Sequence, residues 1–226
     1  MNRSFAVERS SLAQTVYKQL KQLILNHEIE PGEKIGLVDV AEKLGVSLTP
    51  LREALARLTE EGVVVHHTHQ GYFVAEISAQ EAMELYDLRE ALESYAIREG
   101  AERVSDEQLK AIAAAVEVHG HATRGRDLFV EDKVLHLRLA AVGGNQLLVR
   151  MLEQVLDRAI MKLRVSELPR KRGPEAYKEH SDILEALQRR DGEAAVKRLH
   201  THLERTRAYI LAFLNPPKQN ASHNGG

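Results

Sequence analysis

The chain contains no cysteine. Disulfides and thiolate metal sites are thereby excluded, and a reducing compartment is the expected setting. No apolar run approaches the ~20 residues that a membrane-spanning helix needs, and the amino end carries no signal-peptide pattern. The expectation is a cytoplasmic protein with no membrane partner. A basic excess is also missing: the formal net charge is -2, and residues 1–78 hold eight Lys or Arg against ten Asp or Glu. Any affinity for nucleic acid must therefore come from the placement of individual cations. No long internal repeat is found. At 226 residues the chain has room for two domains, each with its own core.

What is present is arranged around residues 45–74, GVSLTPLREALARLTEEGVVVHHTHQGYFV. Pro50 suits a first helical turn, where a missing amide costs nothing, and Ser47 or Thr49 can cap the amides beside it. Leu51, Ala54, Leu55 and Leu58 recur on one face of a helix starting near Leu48, while Arg52, Glu53, Arg57 and Glu60 fall elsewhere. Gly62 ends that helix. Two β-prone runs follow, 63–65 and 72–74, joined by the polar tip His66 to Gly71, which predicts a hairpin. Upstream, residues 38–44 form a short apolar-periodic helix, and Gly45 turns the chain into the next one. Two helices joined this way make a helix-turn-helix, whose second helix can enter a major groove.

On this reading Arg52 can reach guanine or a phosphate, and Arg57, further along, a backbone phosphate. Ser47 and Thr49, with the helix amino end, suit a phosphate. His69 sits at the wing tip, and Gly71 lets that tip approach a minor groove without a side chain in the way. Before this unit, residues 1–9 are expected to be a flexible arm, followed by an amphipathic helix to about Asn26. Residues 35–37 are expected to add a short strand beside the wing.

After the wing the pattern becomes helical. Ser78 to Glu81 and Ser105 to Gln108 both have the spacing of capping boxes. Helices are expected at about 79–102, 106–122, 128–142, 146–166, 175–189 and 193–214, with a disordered tail over 215–226. The fold class is mainly α: a winged helix-turn-helix over 1–76, then an all-α bundle of about six helices over 77–214.

The chemistry of the second half lies in polar residues on faces that should be apolar. Asp132 and His136, four apart, point the same way beside Leu135 and Leu139. His180 shares a face with Ile183, Leu184 and Leu187, and His202 lies between Leu199 and Leu203. If the chain reverses at Arg190 to Gly192, His180 and His202 both stand roughly 16 Å from the turn, level with each other. His200 is about 200° away from His202 around the helix, so only one of the two can face His180. Three imidazoles and one carboxylate form a candidate divalent-metal site. Arg89 lies between Leu85, Leu88 and Leu92. Its buried guanidinium needs an anion, either Glu93 one turn on or an incoming carboxylate. His119 and His121 flank Gly120 at a helix end and are expected to face solvent. Lys171 and Arg172 form a basic loop with no assigned role.

These motifs carry a resemblance. Pro31-Gly32, AEKLGVS, TPLREALARLTEEGVV and QGYFV, in that order over roughly residues 10–76, resemble the winged-helix domain of GntR-type bacterial transcriptional regulators. Leu48 departs from the pattern: members commonly carry Arg there, and a thymine methyl is the contact Leu48 could make instead. Asp132 with His136, His180 in EHSDILEAL and His202 in HTHLERT resemble the Asp-plus-three-His pattern of the FadR-type C-terminal (FCD) effector domain. The resemblance implies a homodimer on a double-stranded DNA operator, acting in the repressing sense. It also implies a divalent metal, with zinc first and nickel or manganese as alternatives, in a pocket that accepts a small organic acid. Arg89 in YDLREALESYA and Asn145 in GGNQLL match positions implied to contact that effector, Asn145 also as a helix cap. A catalytic metal would make the chain a hydrolase or lyase. No HExxH-type glutamate or obvious nucleophile accompanies the four ligands, so no catalytic residue is assigned.

Overall fold

The computed structural model describes residues 4–122, 125–168 and 172–215. It divides into two compact units, residues 1–77 with Asp157–Val165, and residues 78–156 with 166–226.

The first unit carries α1 (Ser4–Leu25), α2 (Leu37–Leu44), α3 (Leu48–Glu60), β1 (Val64–His67) and β2 (Gly71–Val74). The first helix starts at Ser4, so the expected arm over 1–9 is helical from its fourth residue. The physical reason is local: SFAVERSS has no Gly or Pro to stop a helix that the downstream periodicity propagates. Gly45 closes α2 in the left-handed region at φ 66°, its amide reaching the carbonyls of Ala41 and Glu42. Ser47 stands at the N-cap of α3 in extended backbone, ψ 167°, but makes no side-chain cap hydrogen bond, contrary to expectation. Pro50, Leu51, Ala54, Leu55 and Leu58 are buried as the periodicity requires. They join Val16, Leu20 and Ile24 of α1, Val40 of α2 and Val64 and Val74 of the wing in one core.

The wing pairs Val64 with Val74, Val65 with Phe73, His66 with Tyr72 and His67 with Gly71. The strand therefore runs two residues beyond Val65, and only Thr68, His69 and Gln70 remain as the tip. Ring contacts account for the extension: His66 lies 4.4 Å from Tyr72 and His67 5.3 Å from Phe73, centroid to centroid. Instead of a strand over 35–37 there is a single antiparallel bridge, Lys34 to Phe73, since α2 already begins at Leu37.

The second unit is built from α4 (Ala79–Gly100), α5 (Asp106–His121), α6 (Gly125–Ala141), α7 (Gln146–Lys162), α8 (Gly173–Gln188) and α9 (Gly192–Leu214). These six agree with the expected spans to within a few residues. Ser105 and Gln108 form the full reciprocal capping box, whereas Ser78 accepts from the Glu81 amide. Asn145 Oδ1 accepts from the amides of Leu147 and Leu148 at 3.1 Å each, which starts α7. Helix packing closes a ring in the order α4, α9, α8, α5, α6 and back to α4. Outside that ring, Leu148, Leu152 and Leu156 of α7 pack with Ala96 and Ala140. The last turn of α7 and the residues after it fall in the first unit, where Met161 joins the core and the Ile160 carbonyl accepts from His27 at 2.7 Å. The tail beyond Asn215, Lys171 and residues 123–124 lie outside the described residues.

Candidate metal centre and nucleic-acid interface

Every helix of the ring places polar side chains toward its interior: Arg89 and Glu93 from α4, His119 from α5, Asp132 and His136 from α6, Glu179 and His180 from α8, His202 from α9. Leu135, Leu139, Ile183, Leu187, Leu199 and Leu203 flank them, all buried. The apolar stripe of each helix therefore fixes which way its neighbouring histidine points.

One ligand atom each from Asp132, His136, His180 and His202 lies within 4.8 Å of the other three. Asp132 Oδ1 is 3.6 Å from His136 Nε2 and 3.4 Å from His180 Nε2, and His180 Nε2 is 3.2 Å from His202 Nε2. Donors bound to one ion at ~2.0–2.2 Å stand roughly 3 to 3.5 Å apart, so this spacing suits a single cation. His200 is turned away, its Nδ1 2.7 Å from Glu90 Oε1 at the surface. Of the two histidines that cannot both face His180, it is His202 that does so.

Two carboxylates set the imidazole orientations. Glu93, fully buried, accepts from Arg89 Nε at 2.9 Å through one oxygen and from His136 Nδ1 through the other. Glu179 accepts from His202 Nδ1 at 2.8 Å, from Arg172 Nη2 at 2.6 Å and from Arg205 Nη1 at 2.9 Å. With Nδ1 donating outward, His136 and His202 present Nε2 to the cluster, the arrangement by which outer carboxylates orient metal-binding imidazoles. His136 Nε2 is buried without a hydrogen-bond partner among the described residues, as is Arg89 Nη2, which lies 3.9 Å from Asp132 Oδ2. Such orphaned atoms cost free energy unless a ligand satisfies them. The donor set and its unsatisfied atoms fit a divalent ion accompanied by an anion.

The charge states follow from the same contacts. Burial alone would suppress protonation of His136, but the Glu93 carboxylate overrides it and lifts the imidazole to about 9. Burial pushes His180 well below its ordinary value, and His202 reinforces the effect. His202 is lowered by burial against the opposing pull of Glu179. Burial would raise Asp132 and Glu179, yet their cationic neighbours win. Asp132 is held well below its usual range, chiefly by His136, and Glu179 falls to about 2 through hydrogen bonds from His202, Arg172 and Arg205.

The two options for Arg89 are not exclusive: its Nε is taken by Glu93, and its Nη2 is left over. His119 does not face solvent as expected but is 2% exposed beside the cluster, while His121 is exposed. The reason is Gly120, where a Cβ would stand 2.4 Å from the Tyr177 ring. Its absence lets the end of α5 close onto α8. Sequence reasoning also missed Glu179 and Arg172. The Glu179-His180 pair adjoins a proposed ligand, and that adjacency was the available signal. Asn145 is exposed, and its oxygen is committed to the α7 cap.

In the first unit Arg52 projects from the exposed face of α3, as do Glu53 and Arg57. Arg57 also has partners of its own: its guanidinium carbon lies 3.8 Å from the Tyr17 ring centroid, and it donates to Gln14 and Glu61. Its guanidinium therefore helps dock α1 on α3. At the wing tip His69 is exposed and Gly71 takes φ +104°, a backbone region that disfavours side chains.

These features coincide with known proteins. Residues 12–74 match the bacterial regulatory proteins of the gntR family, and residues 84–205 match the FCD domain. The chain is 25% identical over 209 residues to the uncharacterized HTH-type transcriptional regulator YdhC of Bacillus subtilis (strain 168), covering 90% of this chain and 93% of that one. It is 27% identical over 195 residues to the HTH-type transcriptional repressor RspR of Escherichia coli (strain K12), covering 84% and 85%. A crystal structure of a GntR transcriptional regulator from Rhodococcus sp. RHA1 superposes with a TM-score of 0.76 at 25% identity, over 89% of this chain and 98% of that one. The hydrolase or lyase alternative has no counterpart in these relatives, which are regulators and not enzymes. A DNA reader followed by an FCD domain that alone spans more than half of the sequence places this chain in the GntR family, as a transcriptional regulator of the GntR/FCD type.

Proposed function

We propose that the regulator binds a divalent metal through Asp132, His136, His180 and His202, and that a small organic acid joins the metal and Arg89 Nη2 to control operator binding. The observation that carries the reading is the convergence of four ligand atoms within 4.8 Å, beside a buried guanidinium nitrogen with no hydrogen-bond partner among the described residues. A bound metal supplies a Lewis-acid position for a carboxylate oxygen. Arg89 then pairs the other oxygen, and Asn145 offers its remaining amide nitrogen as the further contact carried over from the resemblance. Asp132, the least buried of the four with its side chain 17% exposed, marks the side from which a small molecule arrives. Zinc is the first candidate, since nitrogen and oxygen donors of this kind accept several divalent ions, nickel and manganese included.

On DNA, Ser47, Thr49 and Arg52 of the α3 amino end, the exposed part of Arg57, and His69 with Gly71 of the wing make the contacts. The protein acts as a cytoplasmic homodimer on a pseudo-palindromic operator. Repression is the expected sense, the one named for RspR. An effector controls this binding only through different affinities for DNA-competent and incompetent arrangements. The test is a thermal-shift screen of small carboxylates on zinc-loaded and chelator-treated protein, followed by operator gel shifts with each hit. An acid that stabilises both preparations equally, or that leaves operator affinity unchanged, would contradict the reading.

A further inference from the structure

At the entry to α3 the first unit carries an apolar hollow, lined by Val38, Ala41, Val46 and Leu48 with the exposed Glu42 and Ser47 beside them. Val38 is 60% exposed, while Val46 and Leu48 are half-buried and packed against the core of the unit. A single exposed valine is ordinary. Three apolar side chains from α2, the turn and α3 that share one hollow, two of them anchored in the core, make a surface of fixed shape. Glu42 is the one ionisable side chain in its lining among the described residues; Lys43, next along α2, donates to Glu28 at 2.6 Å instead. A phosphate would meet a carboxylate and no cation there. Guanine, whose O6 and N7 both accept, finds no forked donor. What an apolar hollow accepts is a methyl group, and of the four standard bases only thymine presents one in the major groove.

The position of the hollow suits that occupant. The amino-terminal residues of a recognition helix contact base edges, and Leu48 is the first residue of α3. Arg52, exposed and one turn further on, shares its side of the helix. We propose that Val38, Val46 and Leu48 form a methyl-reading pocket that seats the C5-methyl group of one operator thymine in each half-site. Selection there works by shape and by exclusion of polar base edges, whereas Arg52 hydrogen-bonds on a neighbouring base pair. Glu42 adds a second preference: its carboxylate repels phosphate and accepts from the amino group of an adjacent cytosine or adenine. The departure at Leu48 from the arginine common among GntR-type regulators then exchanges a guanine contact for a thymine contact.

The inference rests on the operator reading above, and one experiment separates them. The full chain first selects its sites from a random double-stranded DNA library. Every thymidine of a selected site is then replaced, one at a time, by deoxyuridine, which lacks only the methyl group, and dissociation constants are read by fluorescence anisotropy at one fixed salt concentration. One thymine position per half-site should lose about fourfold in affinity when its methyl is removed, the worth of one buried carbon. In the doubly substituted Val38→Ala, Leu48→Ala protein that ratio should fall to one. Equal affinity for uracil and thymine at every position in the unaltered protein would overturn the pocket while leaving the other α3 contacts standing, whether or not the variant folds. A methyl dependence that survives the double substitution would overturn it too, by assigning the methyl to another part of the reader. A changed association state of Val38→Ala on sedimentation without DNA would give the hollow to a second copy of the chain and overturn it equally. Failure to select any site would overturn the operator reading and this one with it.

Discussion

His180 and His202, on adjacent antiparallel helices, bring their Nε2 atoms to 3.2 Å from each other in a space sealed from water. Burial lowers the pKa of both, which favours the neutral imidazole with one N–H and one lone pair on each ring. A cation answers that arrangement directly.

His180→Ala or His202→Ala should therefore remove stoichiometric divalent metal on elemental analysis, whereas His200→Ala should retain it. Retention in the first two with loss in the third would show that a different histidine set holds the ion. In the unaltered protein, zinc at a hundred times its dissociation constant should add about 2.7 kcal/mol to unfolding free energy, read as a rise in Tm that a chelator reverses.

Glu93→Ala should be strongly destabilising although Glu93 supplies no ligand atom itself. It leaves Arg89 and His136 buried, and removing one partner from such a group costs about 3–5 kcal/mol. Urea unfolding should show the midpoint falling at constant slope. A loss under 1 kcal/mol would mean that water reaches the pair.

Arg52→Ala should weaken specific operator binding by about 1–3 kcal/mol. Gel shifts at one fixed salt concentration would measure this, with non-specific DNA as the reference. Equal loss on both DNAs would reassign Arg52 from base reading to phosphate binding.

Gly71→Ala forces a side chain into φ +104° at the base of the wing tip. Thermal unfolding should register a loss on the order of 1 kcal/mol or more, together with weaker operator binding. Full stability would show that the tip relaxes without strain.

The periodic helices were legible in the sequence because their burial is dictated by spacing: the α3 face and the His180 and His202 levels came from 3.6-residue arithmetic. Capping chemistry located α4 and α5 for the same local reason. What escaped depends on contacts between distant segments. His119 looked exposed because a glycine beside a terminal histidine normally ends a helix, and only the Tyr177 ring, far along the chain, explains its burial. Glu179 and Arg172 gain meaning only once His202 is beside them. The extension of β1 to His67 relies on cross-strand rings that no single-strand pattern reveals.

Because α6, α8 and α9 each lend a ligand side chain to the same small volume, an ion there would behave like a pin through three rods. Fraying of any one of them would loosen the hold of the others. Amide protons across α6, α8 and α9 should then share one opening free energy when the ion is bound and separate into individual values when it is stripped.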